Sequence, residues 1–107
     1  MADLLGTFEQ AVLLAILRLD ADAYGRAVLH QAQELLQRNV SAGSVYTTLD
    51  RLEARGLVSS RLAEGTPVRG GRARRYYTVA GKGIEALSDA HSALTTIWAG
   101  VQLPTGV

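Results

Sequence analysis

At Gly56 the chain changes its period. Before it, apolar residues recur every three or four positions, as they do in amphipathic helices. After it, two short runs rich in β-branched and aromatic residues flank a glycine-rich segment, as they do in a hairpin. With 107 residues there is room for one domain. Helices and hairpin must therefore share one core. The fold class that follows is mainly α with a β-hairpin (α+β).

The last helical stretch before the change runs from Ser41 to Val58. Val45, Leu49 and Leu52 form one apolar stripe, while Ser44, Thr47, Thr48 and Arg51 form a polar one. Ser41 is a good N-cap and Gly56 a good stop. Short hydroxyls approach a base edge or a phosphate closely, and an arginine forks onto guanine or phosphate. A DNA recognition helix has these properties, and so does an ordinary amphipathic helix, so its neighbours must decide.

Upstream, Thr7-Phe8-Glu9-Gln10 has the form of a capping box with Thr7 as N-cap. The helix it opens runs to about Leu19. Phe8, Val12, Ala15, Ile16 and Leu19 share a face, which Leu13, Leu14 and Leu17 widen. Asp20-Ala21-Asp22 makes a turn, and a second helix spans about Ala23 to Gln37, with Tyr24, Val28, Ala32 and Leu35 or Leu36 inward. Arg38-Asn39-Val40 connects it to the polar-faced helix, an arrangement consistent with a helix-turn-helix. Downstream, residues 57–62 and 74–79 read as strands. Between them, glycines and Pro67 make a hairpin tip carrying Arg69 and Arg72. Three helices followed by a basic hairpin is the winged-helix order. A last helix begins near Gly81 or Lys82 and reaches about Ala99. On it Ile84, Leu87, His91, Leu94, Trp98 and Val101 follow a heptad-like seam, which needs a partner.

Net charge is only +1, but it is unevenly placed. Residues 51–82 hold eight cations (Arg51, Arg55, Arg61, Arg69, Arg72, Arg74, Arg75, Lys82) against Glu53 and Glu64, a balance of +6, which leaves −5 elsewhere. A face presented to a polyanion and a solvated basic loop explain this equally well. There are no cysteines, which excludes disulfides, cysteine-built zinc sites and thiol catalysis. The apolar run from Ala11 to Leu17 is too short for a bilayer and lacks the basic lead of a signal peptide. The expectation is a soluble cytoplasmic protein without membrane association.

The residues Leu14-Ala15-Ile16-Leu17, Asp22-Ala23-Tyr24-Gly25, Ser41 through Leu49, Arg51-Leu52-Glu53, Gly56-Leu57-Val58 and Gly70-Gly71-Arg72 through Thr78 stand in an order that resembles the PadR family of bacterial winged-helix regulators. The resemblance covers roughly residues 5 to 90. It implies a winged helix-turn-helix over residues 1–80, followed by a dimerisation helix and tail over 81–107 within one structural domain. It further implies a homodimer, usually a repressor, bound to an inverted repeat of double-stranded DNA. The residues assigned to DNA are Ser41, Gly43, Ser44, Tyr46, Thr47, Thr48 and Arg51, with Arg69, Gly70, Gly71, Arg72 and Arg74 from the wing. Arg75 serves equally as a brace of the hairpin. Phe8, Ile84, Leu87, His91, Leu94, Trp98 and Val101 are assigned to the dimer interface.

Other chemistry finds little support. Gly81-Lys82-Gly83 lacks the setting of a phosphate loop. His30 and His91, on different helices, have no carboxylates at ligand spacing, so no metal or cofactor is expected. No triad or carboxylate pair suggests an enzyme. Some short PadR-like regulators hold planar hydrophobic compounds between tryptophans. Here Leu94 takes that position and Trp98 falls about a turn later, so Trp98 is assigned to packing, with a ligand shelf for a small hydrophobic effector as the alternative. A winged helix that docks proteins is the rival from another class.

Overall fold

The computed structural model describes residues 4–63 and 73–105. Four helices and one hairpin follow in the order α1 (Thr7–Leu19), a 3-10 turn (Asp20–Asp22), α2 (Gly25–Leu36), α3 (Ala42–Ala54), β1 (Val58–Ala63), β2 (Arg74–Val79) and α4 (Gly81–Trp98). This is a winged helix-turn-helix with an added C-terminal helix. The wing-tip positions Arg69, Gly70, Gly71 and Arg72 lie outside the described residues.

The core is built where the helical stripes meet. Val12, Leu13, Ala15 and Ile16 of α1 lie against Val28 and Ala32 of α2 and Val45, Leu49 and Leu52 of α3. Leu57, Val58 and Tyr77 close it from the hairpin side. Phe8 and Leu87, both expected at a dimer interface, pack half-buried against this core within their own chain. Leu14 and Leu17 remain exposed on the far side of α1.

Thr7 does not cap α1. The N-cap is Gly6, whose backbone N–H donates to Glu9 Oε1 at 3.1 Å. The box is shifted one residue because Glu9, at N3, supplies the carboxylate that reaches back, while Gln10 Nε2 donates to the Leu5 carbonyl instead. The second helix likewise starts later than its pattern suggests. Tyr24 is extended and serves as the N-cap of α2. It also bridges to Tyr76, and Tyr77 N–H donates to the Ala23 carbonyl at 2.9 Å. The hairpin is thus stitched to the entry of α2.

The hairpin is antiparallel, with Val58 opposite Val79, Ser60 opposite Tyr77 and Ala63 opposite Arg74. Gly56, at φ +78°, ends the turn after α3. Leu57 N–H then donates to the Leu52 carbonyl, which aims β1 back along α3. The α4 helix starts over the same corner. Ala80 N–H donates to the Leu57 carbonyl at 2.9 Å, and a Cβ on Gly83 would overlap that same oxygen. Only a glycine lets α4 settle there.

On α4 the residues that face the chain's own core are Gly83, Ala86, Leu87 and Ala90. The expected seam is otherwise exposed, with Ile84, Leu94 and Trp98 each about half accessible and His91 exposed. Val101 lies past the end of the helix. Ile97, absent from the expected seam, is the most exposed apolar residue of α4 at 69%.

Candidate nucleic-acid interface

The α3 helix begins cleanly because Ser41 caps it. Ser44 N–H donates to Ser41 Oγ at 3.0 Å, and the Ser41 hydroxyl donates to Ser44 Oγ at 2.8 Å. Ser44 Oγ, having accepted, keeps its own proton to give. The turn before it is closed by Gln33 Nε2, which donates to the Val40 carbonyl at 3.0 Å. Gln37 sits in the left-handed region at φ 54°, which swings the chain from α2 into α3.

With Val45, Leu49 and Leu52 fully buried, the helical repeat directs Gly43, Thr47, Asp50 and Ala54 straight outward. Ser44 and Arg51 flank that row on one side. Thr48 is only half-exposed and turns toward Phe8. Ser41, Gly43, Ser44, Thr47, Thr48 and Arg51 line one open groove together with Arg38, Asn39, Val40 and Phe8. The helical pattern accounts for four groove residues, Ser44, Thr47, Thr48 and Arg51, the N-cap reading for Ser41 and the family resemblance for Gly43, while Arg38 and Asn39 were not among the expected residues. The signal for those two was their place immediately before the N-cap. Tyr46 lies on the opposite flank, where its ring covers Gly25: a Cβ there would come within 2.8 Å of Tyr46 Cε1.

The wing base is organised by stacked cations and rings. Arg74 lies 4.2 Å above the ring of Tyr24, and Arg61 lies 5.0 Å from that of Tyr76. The two rings meet edge-on at 5.9 Å. Arg74, expected at DNA, is thus stacked at the wing root. Arg75 donates to Ser60 Oγ at 2.9 Å, and the Ser60 hydroxyl donates to Glu53 Oε2 at 2.7 Å. This relay fixes the hairpin to the last turn of α3, the bracing alternative for Arg75. Arg55 pairs with Glu9 at 3.1 Å and ties the end of α3 to the start of α1.

Tyr77 is buried beneath this arrangement. Burial, and next the negative charge of Asp50, push its phenol above the ordinary value of 10.0. Its hydroxyl is a neutral group at any physiological pH. Among the described residues, no cluster of three or more His, Asp or Glu could hold a metal ion, and no helix is long and apolar enough to cross a membrane.

The family model for the transcriptional regulator PadR-like family matches residues 13–89, most of the chain and both halves of this interface. The chain belongs to the PadR-like family. Solved structures agree on the fold. A PadR-like transcriptional regulator from Bacillus cereus superposes with a TM-score of 0.67 at 25% identity, covering 86% of this chain and 84% of that one. A PadR-like transcription factor from Bacteroides fragilis gives 0.66 at 25%, over 86% and 84%. A PadR family regulator from Clostridium difficile gives 0.64 at 23%, over 86% and 91%. No curated protein sequence matches the chain. In coarse terms this PadR-like protein is a DNA-binding transcription regulator, and members of the family are regulators rather than enzymes.

Proposed function

We propose that this PadR-like chain is a cytoplasmic, homodimeric, sequence-specific repressor that binds an inverted-repeat operator. The observation that carries the reading is the outward face of α3. Its residues are small and exposed, with a hydroxyl at Thr47 and a carboxylate at Asp50, and Arg38, Ser44 and Arg51 line the open groove beside it. Helix α3 enters the major groove, with Thr47 at base edges and Ser44 donating to a phosphate. The wing arginines Arg69 and Arg72 reach phosphates or the minor groove.

The two-fold partner is a second copy joined through α4 and the exposed side of α1. Leu94, Ile97 and Trp98 stand on a helix that projects from the body, and Leu14 and Leu17 line an apolar groove with Leu35 and Leu36. Surfaces of this kind mark interfaces. The two α3 helices then meet half-sites about one helical turn apart, ~34–36 Å.

The test is a pair of variants. Arg72→Ala removes a phosphate contact, so it weakens binding to operator and random DNA alike and lowers the salt slope by about 1. Thr47→Ala alters sequence preference and leaves the slope in place. Equal loss on both kinds of DNA by both variants contradicts the assignment.

A further inference from the structure

One residue on the outermost row of α3 is an acid beside the basic groove. Gly43, Thr47, Asp50 and Ala54 follow each other at four-, three- and four-residue steps and share one line along the helix. Glycine, threonine and alanine are small, so this line can approach the floor of a groove. Asp50 is the charged member, exposed, with Arg51 beside it. The other acids nearby are engaged: Glu53 accepts from Ser60, and Glu9 pairs with Arg55. Among the described residues no hydrogen bond or ion pair holds Asp50.

An ionised carboxylate only accepts hydrogen bonds. Set against phosphates it would repel, so a place on the leading edge suits it only where a donor waits. The major-groove donors are the amino groups of cytosine and adenine. The adenine amino group lies between two acceptors, its own N7 and the thymine O4. The cytosine amino group has one acceptor neighbour, the guanine O6. A carboxylate is therefore repelled less at cytosine.

We propose that Asp50 is a specificity-determining residue that accepts a hydrogen bond from the N4 amino group of one cytosine in each half-site. The proposal rests on the reading of α3 as the helix in the major groove. Thr47, one turn earlier on the same row, contacts the neighbouring base step, and Arg51 holds the backbone alongside.

The experiment is selection from a DNA library with randomised half-sites, followed by sequencing, for the full-length protein and for Asp50→Asn and Asp50→Ala. The wild-type protein is expected to favour cytosine at one position of each half-site by roughly 5- to 150-fold. Asparagine pairs with the N6 and N7 of adenine, so Asp50→Asn is expected to move the preference at that position from cytosine to adenine. Asp50→Ala is expected to lose the preference there and keep it elsewhere. Circular dichroism should show all three equally folded, since Asp50 is exposed. If both variants keep every positional preference and bind operator and shuffled DNA more tightly by the same factor, Asp50 is a solvated acid and the proposal is overturned, while the reading of α3 stands. If the wild-type protein selects no sequence at all, both fall together.

Discussion

Gly83 and Tyr77 show how much single residues decide here. A Gly→Ala change within a helix ordinarily stabilises by about 0.5–1 kcal/mol. At Gly83 the new methyl would overlap the Leu57 carbonyl, a backbone atom already fixed by its bond from Ala80. Overpacking of this kind costs about 1–3 kcal/mol, so the clash wins. Gly83→Ala is expected to lower the melting temperature, by about 4–8 °C for each kcal/mol lost in a domain of this size. A melting temperature at or above the wild-type value would refute the close approach. Tyr77 supplies a pH dependence. Its phenol is held above 10.0 by burial and by Asp50. Above pH 10 the unfolded chain loses this proton before the folded one does, so stability falls as pH rises toward the folded value. Urea titrations at pH 9 and pH 11 should show that decline, and Tyr77→Phe should make it shallower. At this scale the sequence was only partly legible. Ser41 was visible as a cap because an N-cap hydroxyl acts locally. Thr7 is not the cap: Gly6, which caps with nothing but its backbone, leaves no side-chain signature in the sequence, and Glu9 rather than Gln10 reaches back to it.

Among the elements, α3 and the hairpin were the most legible, since each has a strong period and a glycine at its boundary. The entry of α2 was not, because Tyr24 continues the helical pattern in sequence but is drawn into an extended bridge with Tyr76. Such pairing between residues far apart leaves no local trace. The relay from Arg75 through Ser60 to Glu53 has the same character: three polar residues on three elements, joined only by folding. It positions the wing relative to α3. Ser60→Ala is expected to lower unfolding stability by about 0.5–1.5 kcal/mol and to weaken DNA binding through a looser wing. Unchanged urea midpoint and unchanged affinity together would show that the hairpin is held by its register and by the Tyr24–Tyr76 contact alone. Four of the groove residues, Ser44, Thr47, Thr48 and Arg51, follow from the helical period of α3. Arg38 and Asn39 join them only because the turn after Gln37 folds back beside the helix.

At the scale of the whole molecule, the cations of the α3 groove and the exposed apolar residues of α4 belong to separate surfaces. Arg38 and Arg51 line the groove of α3, while Leu94, Ile97 and Trp98 give α4 an exposed apolar edge. Of the expected seam, Leu87 turns inward beside the small residues Gly83, Ala86 and Ala90, Val101 lies past the helix end, and Ile84, Leu94 and Trp98 stay exposed. A paired change of Ile97 and Trp98 to aspartate is expected to convert a dimer to a folded monomer in sedimentation experiments and to weaken operator binding at low protein concentration. A dimer that survives the pair would move the interface elsewhere. The most direct test of the account is fluorescence anisotropy of the purified protein on the DNA upstream of its own gene, against shuffled DNA, across a salt series. Tight binding that prefers the native fragment, and that weakens steeply as salt rises, is the predicted result. Absence of binding to either DNA even at low salt would contradict it and turn the basic groove into a surface for an acidic protein.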